Sequence, residues 1–130
     1  MSELKNKAIK AASKFLDRRG YEVIEAEWKS EGDLSIDVIA RDEDGTVVFS
    51  DVEARTNIEK GLPEMNGAGS RERREIAAAK WLAAHTEDDT LVDVSIRFDN
   101  IAMVLVGESR ALLRHHINCF GCCDSASSTD

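Results

Sequence analysis

The sequence predicts an α/β domain, a mixed sheet with helices packed on it, with elements in the order α-β-β-β-α-β(β)-α. Three observations carry this. Three alternating segments between residues 21 and 54 are separated only by short turns, which makes them an antiparallel meander. Two stretches with apolar residues at three- and four-residue spacing, one at the start and one at 71–85, read as helices. An apolar, β-branched run then returns at 91–107, so the second helix is a crossover back to the sheet.

Taken in order, the first helix runs from Ser2, an N-cap residue type, to about Arg19. Leu4, Ala8, Ala11, Ala12 and Phe15 form its apolar stripe, most of its lysines lie off the stripe as a solvated face, and Gly20 ends it. YEVIEAEW, 21–28, alternates with Ile24, Ala26 and Trp28 on one face. After a KSEGD turn, LSIDVIAR, 34–41, sets Leu34, Ile36, Val38 and Ala40 against Ser35, Asp37 and Ile39. DEDGT is a hairpin turn, and TVVFSDVEA, 46–54, is the third strand. NIEKGLPEMNGAGS, 57–70, holds the only proline and three of the eight glycines and reads as a loop. Ser70 caps the helix RERREIAAAKWLAAH, 71–85. An acidic loop, 86–90, leads to LVDVSIRF, 91–98, and NIAMVLVG, 100–107, which are one bent strand or two. ESRALLRHHINCF, 108–120, reads as a short closing helix. The organisation is one domain over 1–120 and a disordered tail of small residues over 121–130.

A length of 130 residues allows one domain with its own core. No apolar run reaches the length of a membrane helix, and the basic N-terminus lacks the apolar centre of a secretory signal. The expectation is a cytoplasmic protein with no membrane association. Cys119, Cys122 and Cys123 crowd into the last dozen residues, unlike a disulfide framework. In HHINCFGCC the ligand types are soft but the spacing is not that of a zinc finger. Acids outnumber bases 25 to 17, a net charge of −8, which excludes an indiscriminate nucleic-acid binder. The charge is uneven. Residues 1–21 carry six bases against two acids and 65–86 four against two, whereas 22–64 carry thirteen acids against four bases. Basic helices therefore flank an acidic centre.

The acids that raise a chemical question are in VVFSDVEAR, 47–55. Asp51 and Glu53 are two apart in a strand and share a face. Asp37 meets them only in one hairpin register. A two-residue loop, Asp44-Gly45, would set Asp37 opposite Val52. A three-residue loop, Glu43-Asp44-Gly45, with glycine in the left-handed position, sets it opposite Asp51. The second register is the one expected here. Opposed carboxylates destabilise a sheet unless solvated, paired with arginine or bound to a cation, and two of them with water suit Mg²⁺ or Mn²⁺. Arg71, Arg73 and Arg74 occupy the first turn of a helix, where the dipole disfavours cations, which points to phosphate. The plainer reading pairs them with Glu72 and Glu75. His85 is ordinary helix-end capping, Trp28 and Trp81 read as core, and RFD, 97–99, is a candidate buried salt link.

Six fragments in order resemble the YraN-like family of endonuclease-like proteins, over about Lys7 to Phe120. AASKFLDRRGYEVIEAEW is similar to the family's opening helix and first strand, LSIDVIARD to GEIDLIARD, and VVFSDVEAR to VFVEVKTR. RERREIAAAKWLAAH resembles the helix that follows, SIRFDNIAMV the RFDVVAV strand, and HHINCF the closing helix. The resemblance implies a restriction-endonuclease-like, PD-(D/E)xK fold and a metal-dependent phosphodiesterase site. In it Asp37 and Asp51 hold Mg²⁺ or Mn²⁺, Glu53 stands where a lysine orients the attacking water, and Arg55 keeps the following basic residue. Ile9 and Ser35 replace two further glutamates of the pattern. Glu53 reverses a charge: it can act as a base or an extra ligand but supplies no positive field. Lys80, Arg71 or Arg74 on the adjacent helix are candidates to supply it.

The implied function is a nuclease-fold protein acting on or binding DNA or RNA through an altered site, a phosphodiester hydrolase if active. Asp37, Asp51 and Glu53 would be its catalytic group, and Arg55, Arg71 and Arg74 its phosphate contacts. The alternative is a catalytically inactive module that binds nucleic acid or a protein partner, for which the Lys-to-Glu change and the charge of −8 speak. A dimerising module is neither supported nor excluded, so a homodimer stays open.

Overall fold

The computed structural model describes residues 3–32, 34–63, 71–85, 95–107 and 110–118. Helix α1 (Glu3–Arg18) is followed by strands β1 (Glu22–Lys29), β2 (Ser35–Arg41) and β3 (Val47–Arg55), then a 3₁₀ turn at Ile58–Lys60. Helix α2 (Arg71–Ala84) and strands β4 (Ile96–Val106) and β5 (Arg110–His116) complete the described chain. The five strands form one sheet in sequence order. β1, β2 and β3 are an antiparallel meander, β3 and β4 pair in parallel, and β4 and β5 pair antiparallel. This is the mixed α/β architecture that the sequence predicts, with α2 as the crossover between the two parallel strands. Ser2, Ser70, residues 86–94 and the tail 121–130 lie outside the described residues.

β3 is the middle strand, so it is covered on both faces and reads as a continuous apolar run before its acids. On one face Ala8, Ile9, Ala12 and Leu16 of α1 pack against Val38, Ala40, Val48, Val52, Ile101 and Met103. On the other, Ala77, Ala78 and Trp81 of α2 pack against Ile39, Val47, Phe49 and Phe98, with Phe49 edge-on to Trp81 at 5.7 Å. The small residues of α2 allow the close approach and Trp81 fills the remaining space. Helix α1 ends as Gly20 implies. Gly20 takes φ +95°, its N–H donates to Asp17 O, and the Tyr21 N–H donates to Leu16 O, which together form a Schellman closure.

Two expectations are corrected. The segment 108–120 does not close as a helix, because Arg110–His116 is strand β5. The open edge of β4 offers this segment a ladder of backbone partners. Only Leu113 packs on the core, while Leu112 is exposed, as strand alternation requires. In β1, a bulge inserts Ile24 between Val23 and Glu25, so the simple face of Ile24, Ala26 and Trp28 is broken.

The RFD segment is a buried charge network. Asp99 is fully buried and takes hydrogen bonds from Arg97 Nε (2.9 Å) and Nη2 (2.8 Å), His115 Nε2 (2.7 Å) and the Asn118 N–H (2.8 Å). Arg97 also donates to Asp42 (2.8 Å) and to the Tyr21 hydroxyl (2.7 Å). Burial alone would raise the Asp99 carboxyl, but His115, Arg97 and the Asn118 N–H outweigh it and hold it below the ordinary carboxylate value. One network thus ties the end of α1, the β2–β3 turn, β4 and β5. Asp99→Asn leaves Arg97 without its buried anion and is expected to lower unfolding free energy by about 3–5 kcal/mol in urea titrations. Tyr21→Phe removes one neutral partner and is expected to cost about 1 kcal/mol in the same measurement.

Candidate functional site

The site lies where β2 and β3 part. The β2–β3 partners run from Arg41↔Val47 to Val38↔Ser50, the three-residue-loop register, and Gly45 holds φ +91° at the turn. Pairing stops one step before Asp37 and Asp51. Beyond that point Ile36 joins the α2-side cluster, although Val38 and Ala40 face α1, so the alternation of β2 breaks at Asp37. On β1, Glu27, next to the partners Ala26↔Val38 and Trp28↔Ile36, takes φ +56°, an uncommon conformation for glutamate. The kink lets the Asp37 carboxylate reach into the fork, where Oδ2 accepts the Val52 N–H at 2.7 Å. Asp37 thereby stands in for the backbone acceptor that the parting strands no longer provide.

Each acid has a cation of this chain beside it. Lys5 of α1 donates to Val52 O at 2.6 Å and lies 3.0 Å from Asp37 Oδ2 and 3.9 Å from Glu53 Oε1. Arg74 of α2 places Nε 3.2 Å from Asp51 Oδ2. Its other nitrogens donate to Asn100 Oδ1 (2.7 Å), Asp99 O (2.7 Å) and Phe49 O (3.2 Å). The sheet and α2 desolvate the Asp51 carboxyl, and this burial pushes it above 3.8. Arg74 opposes the rise, Asp37 adds to it, Lys5 opposes it and Glu53 adds a little more.

The structure therefore brings Asp37, Asp51 and Glu53 together. It puts the expected phosphate contacts in three different settings. Arg55, at the end of β3, donates to Lys60 O at 3.2 Å and is held by the 3₁₀ turn. Arg71 is exposed and pairs with Glu75 at 3.2 Å. Arg74 is only 8% exposed and points into the protein. Lys80 is exposed on α2. The residue missed by sequence reasoning is Lys5. Its signal was its position one turn before Ile9, on the buried side of α1 rather than the solvated one. Two polar atoms on these elements, Asn6 Oδ1 and the fully buried Ser50 Oγ, have no hydrogen-bond partner among the described residues.

As a metal site the arrangement is sparse. Among the described residues, no group of three or more His, Cys, Asp or Glu converges on one point. Two carboxylates remain, Asp37 and Asp51, and their contacts in the fork all use Oδ2, leaving one oxygen each for another partner. That donor set fits Mg²⁺, which takes one or two carboxylates and completes its shell with water and phosphate oxygens. No helix among the described residues is long and apolar enough to cross a membrane.

A mixed α/β protein with a carboxylate cluster at a fork in its sheet is what the fold and site define. Residues 10–103 match the uncharacterised protein family UPF0102, and the chain belongs to that family, the YraN family whose fragments the sequence resembles. It is 28% identical to a UPF0102 protein of Trichlorobacter lovleyi over 109 residues, which is 84% of this chain and 83% of the relative. It is 31% identical to UPF0102 proteins of Geobacter metallireducens, over 81% of this chain and 82% of the relative, and of Lachnoclostridium phytofermentans, over 85% and 88%.

Three carboxylates are shifted, Asp51 upward and Asp99 and the exposed Asp44 downward, and the opposed shifts give stability an acid-side maximum. Asp51 has a folded pKa raised above 3.8, so the folded state binds its proton first and stability rises as pH falls through that raised value towards 3.8. Asp99 has a lowered folded pKa, so its contribution is lost as pH falls below 3.8. Urea midpoints measured against pH are expected to climb and then drop on acidification. Asp51→Asn is expected to raise the midpoint at pH 7 and flatten the upper limb, since Arg74 keeps its three neutral acceptors.

Proposed function

We propose that this chain is a restriction-endonuclease-like protein that acts on nucleic acid through an altered phosphodiesterase site, with Lys5 supplying the positive charge absent at position 53. The observation that carries the reading is the Lys5 ammonium in the acid cluster, 3.0 Å from Asp37 and 3.9 Å from Glu53. The order of helix, three-strand meander, crossover helix and strand parallel to β3 supports the fold assignment. Family membership supports it without bearing on activity.

Asp37 and Asp51 would hold a Mg²⁺ or Mn²⁺ ion, which when bound supplies an activated water and neutralises charge on the phosphoryl group. Lys5, held by Asp37 and the Val52 carbonyl, would offset phosphate charge from α1. Glu53, 56% exposed, is free of the fold's hydrogen-bond ladder on its side chain and takes a proton as general base. Arg55 and Arg71 contact flanking phosphates, whereas Arg74 holds Asp51 in place from behind.

A second reading has its own observation. Lys5 and Arg74 already pair with Asp37 and Asp51, so both carboxylates have a protein cation without an added ion, as in a non-catalytic module that binds nucleic acid or a protein partner. Calorimetric titration with Mn²⁺ separates the two. The wild type is expected to bind and Asp37→Ala/Asp51→Ala to lose the heat. Lys5→Ala is expected to tighten Mn²⁺ roughly tenfold by removing a competitor for Asp37. The same variant is expected to slow cleavage of branched or single-stranded DNA or of RNA about 100-fold. No heat from the wild type at millimolar Mn²⁺ would sink the nuclease reading and leave the module.

A further inference from the structure

A groove of about 570 Å³ runs beside α1, outside the acid cluster, and takes in parts of β1 and of the β4–β5 hairpin. Its rim carries Lys7, Lys10, Lys14 and Arg110, with Glu27 as the one acid. All four cations are exposed, and none makes an ion pair with a described residue. The floor is apolar, with Ile9, Leu105 and Ala111. In a protein of net charge −8, four uncompensated cations around one apolar concavity are out of keeping with the rest of the surface. Three of them sit in the N-terminal basic segment, one of the few places where a polyanion meets attraction, and Arg110 joins them from β5.

We propose that this groove holds a single strand of nucleic acid. The inference rests on the nucleic-acid reading above and adds the surface and the strandedness. Helical rise sets Lys7 and Lys10 about 4.5 Å apart along the axis and Lys10 and Lys14 about 6 Å apart. Long lysine side chains at such intervals reach neighbouring phosphates of one strand. Lys5 projects from the opposite, inward side of the same helix, so the groove is a surface separate from Asp37 and Glu53. Unpaired bases present apolar faces that the floor covers. A duplex keeps its bases stacked inside and leaves the floor empty. The volume lies within the range of sites that enclose small ligands, room for a short stretch of strand rather than a helix of DNA.

The test is fluorescence anisotropy of labelled oligothymidylate of about 12 nucleotides, the scale of single-strand sites, at several salt concentrations. The partner arms are the same-length duplex and polyglutamate. The wild type is expected to prefer the single strand. The Lys7→Gln/Lys10→Gln/Lys14→Gln triple variant is expected to lower the slope of log affinity against log salt by about 2, at about 0.7 for each lost phosphate contact. Arg110→Gln is expected to lower it by about 0.7. An unchanged slope in the triple variant, with affinity lost instead in Arg55→Gln and Arg71→Gln, overturns the groove and leaves the nucleic-acid reading standing. Equal or tighter binding of the duplex also overturns the groove alone. Binding of polyglutamate with none of either nucleic acid overturns both and favours an acidic protein partner.

Discussion

The register of the β2–β3 hairpin is the constraint from which the rest follows. Gly45 at φ +91° closes a three-residue loop, and Val38 then meets Ser50 rather than Asp51. A slip of one residue would turn every side chain of one strand to the opposite face. Val48 and Val52 would leave α1, Phe49 would leave Trp81, and the acids would scatter. Core and candidate site are thus one decision. The apolar pattern fixes which faces are buried, and the carboxylates are carried along by the same parity. Asp37 makes the link explicit, because its carboxylate both belongs to the cluster and completes the hydrogen bonding of Val52 where the strands part.

Charge balance is the second organising feature. Three cations serve the acidic centre, each from a different element: Lys5 from α1, Arg74 from α2 and Arg97 from β4. Two of them are deeply placed, so their desolvation is offset only by multiple well-directed hydrogen bonds. Arg74 has carbonyl, amide and carboxylate acceptors. Arg97 has Asp99, Asp42 and Tyr21, and these raise its pKa above the usual value despite burial, so it stays charged. Asp51 is the uncompensated member. Arg74 reaches it, yet burial and the neighbouring carboxylates still hold its pKa up. The fold thus satisfies Asp99 fully and Asp51 only in part.

What the sequence made legible divides along physical lines. Local signals were sound: the meander, the crossover helix, the turn glycine, the core tryptophan and the RFD salt link all rest on short-range pattern. Long-range effects were not visible. The segment RALLRHH carries no decisive preference, and only the free edge of β4 makes it a strand. The bulge at Ile24 and the kink at Glu27 come from sheet twist and pairing, not from residue type. Arg74 illustrates the limit on the site. Its place in the first turn of a helix suggested an outward phosphate contact, but β3 and β4 supply enough acceptors beneath α2 to draw it inward. Lys5 was read with the solvated lysines although its place one turn before Ile9 sets it on the inner side of α1, and the acids it meets there come together only in the folded sheet.

An acid at position 53 has a physical sense in this fork. A lysine there would share the fork with Lys5, and two ammonium groups within a few ångströms of each other repel unless carboxylates separate them. With Glu53 the local count is three carboxylates facing Lys5 and Arg74, a net deficit of one positive charge. The cation beside Glu53 comes from α1, and its Nζ is anchored by the Val52 carbonyl, a backbone atom of the same strand. The positive charge is therefore fixed relative to Asp51 and Glu53 by β3 itself, as a strand-borne lysine would have been. What has changed is its support. A strand-borne lysine is held by the sheet, whereas Lys5 depends on the packing of Ala8, Ile9 and Ala12, so the electrostatics of the site are coupled to the seating of α1.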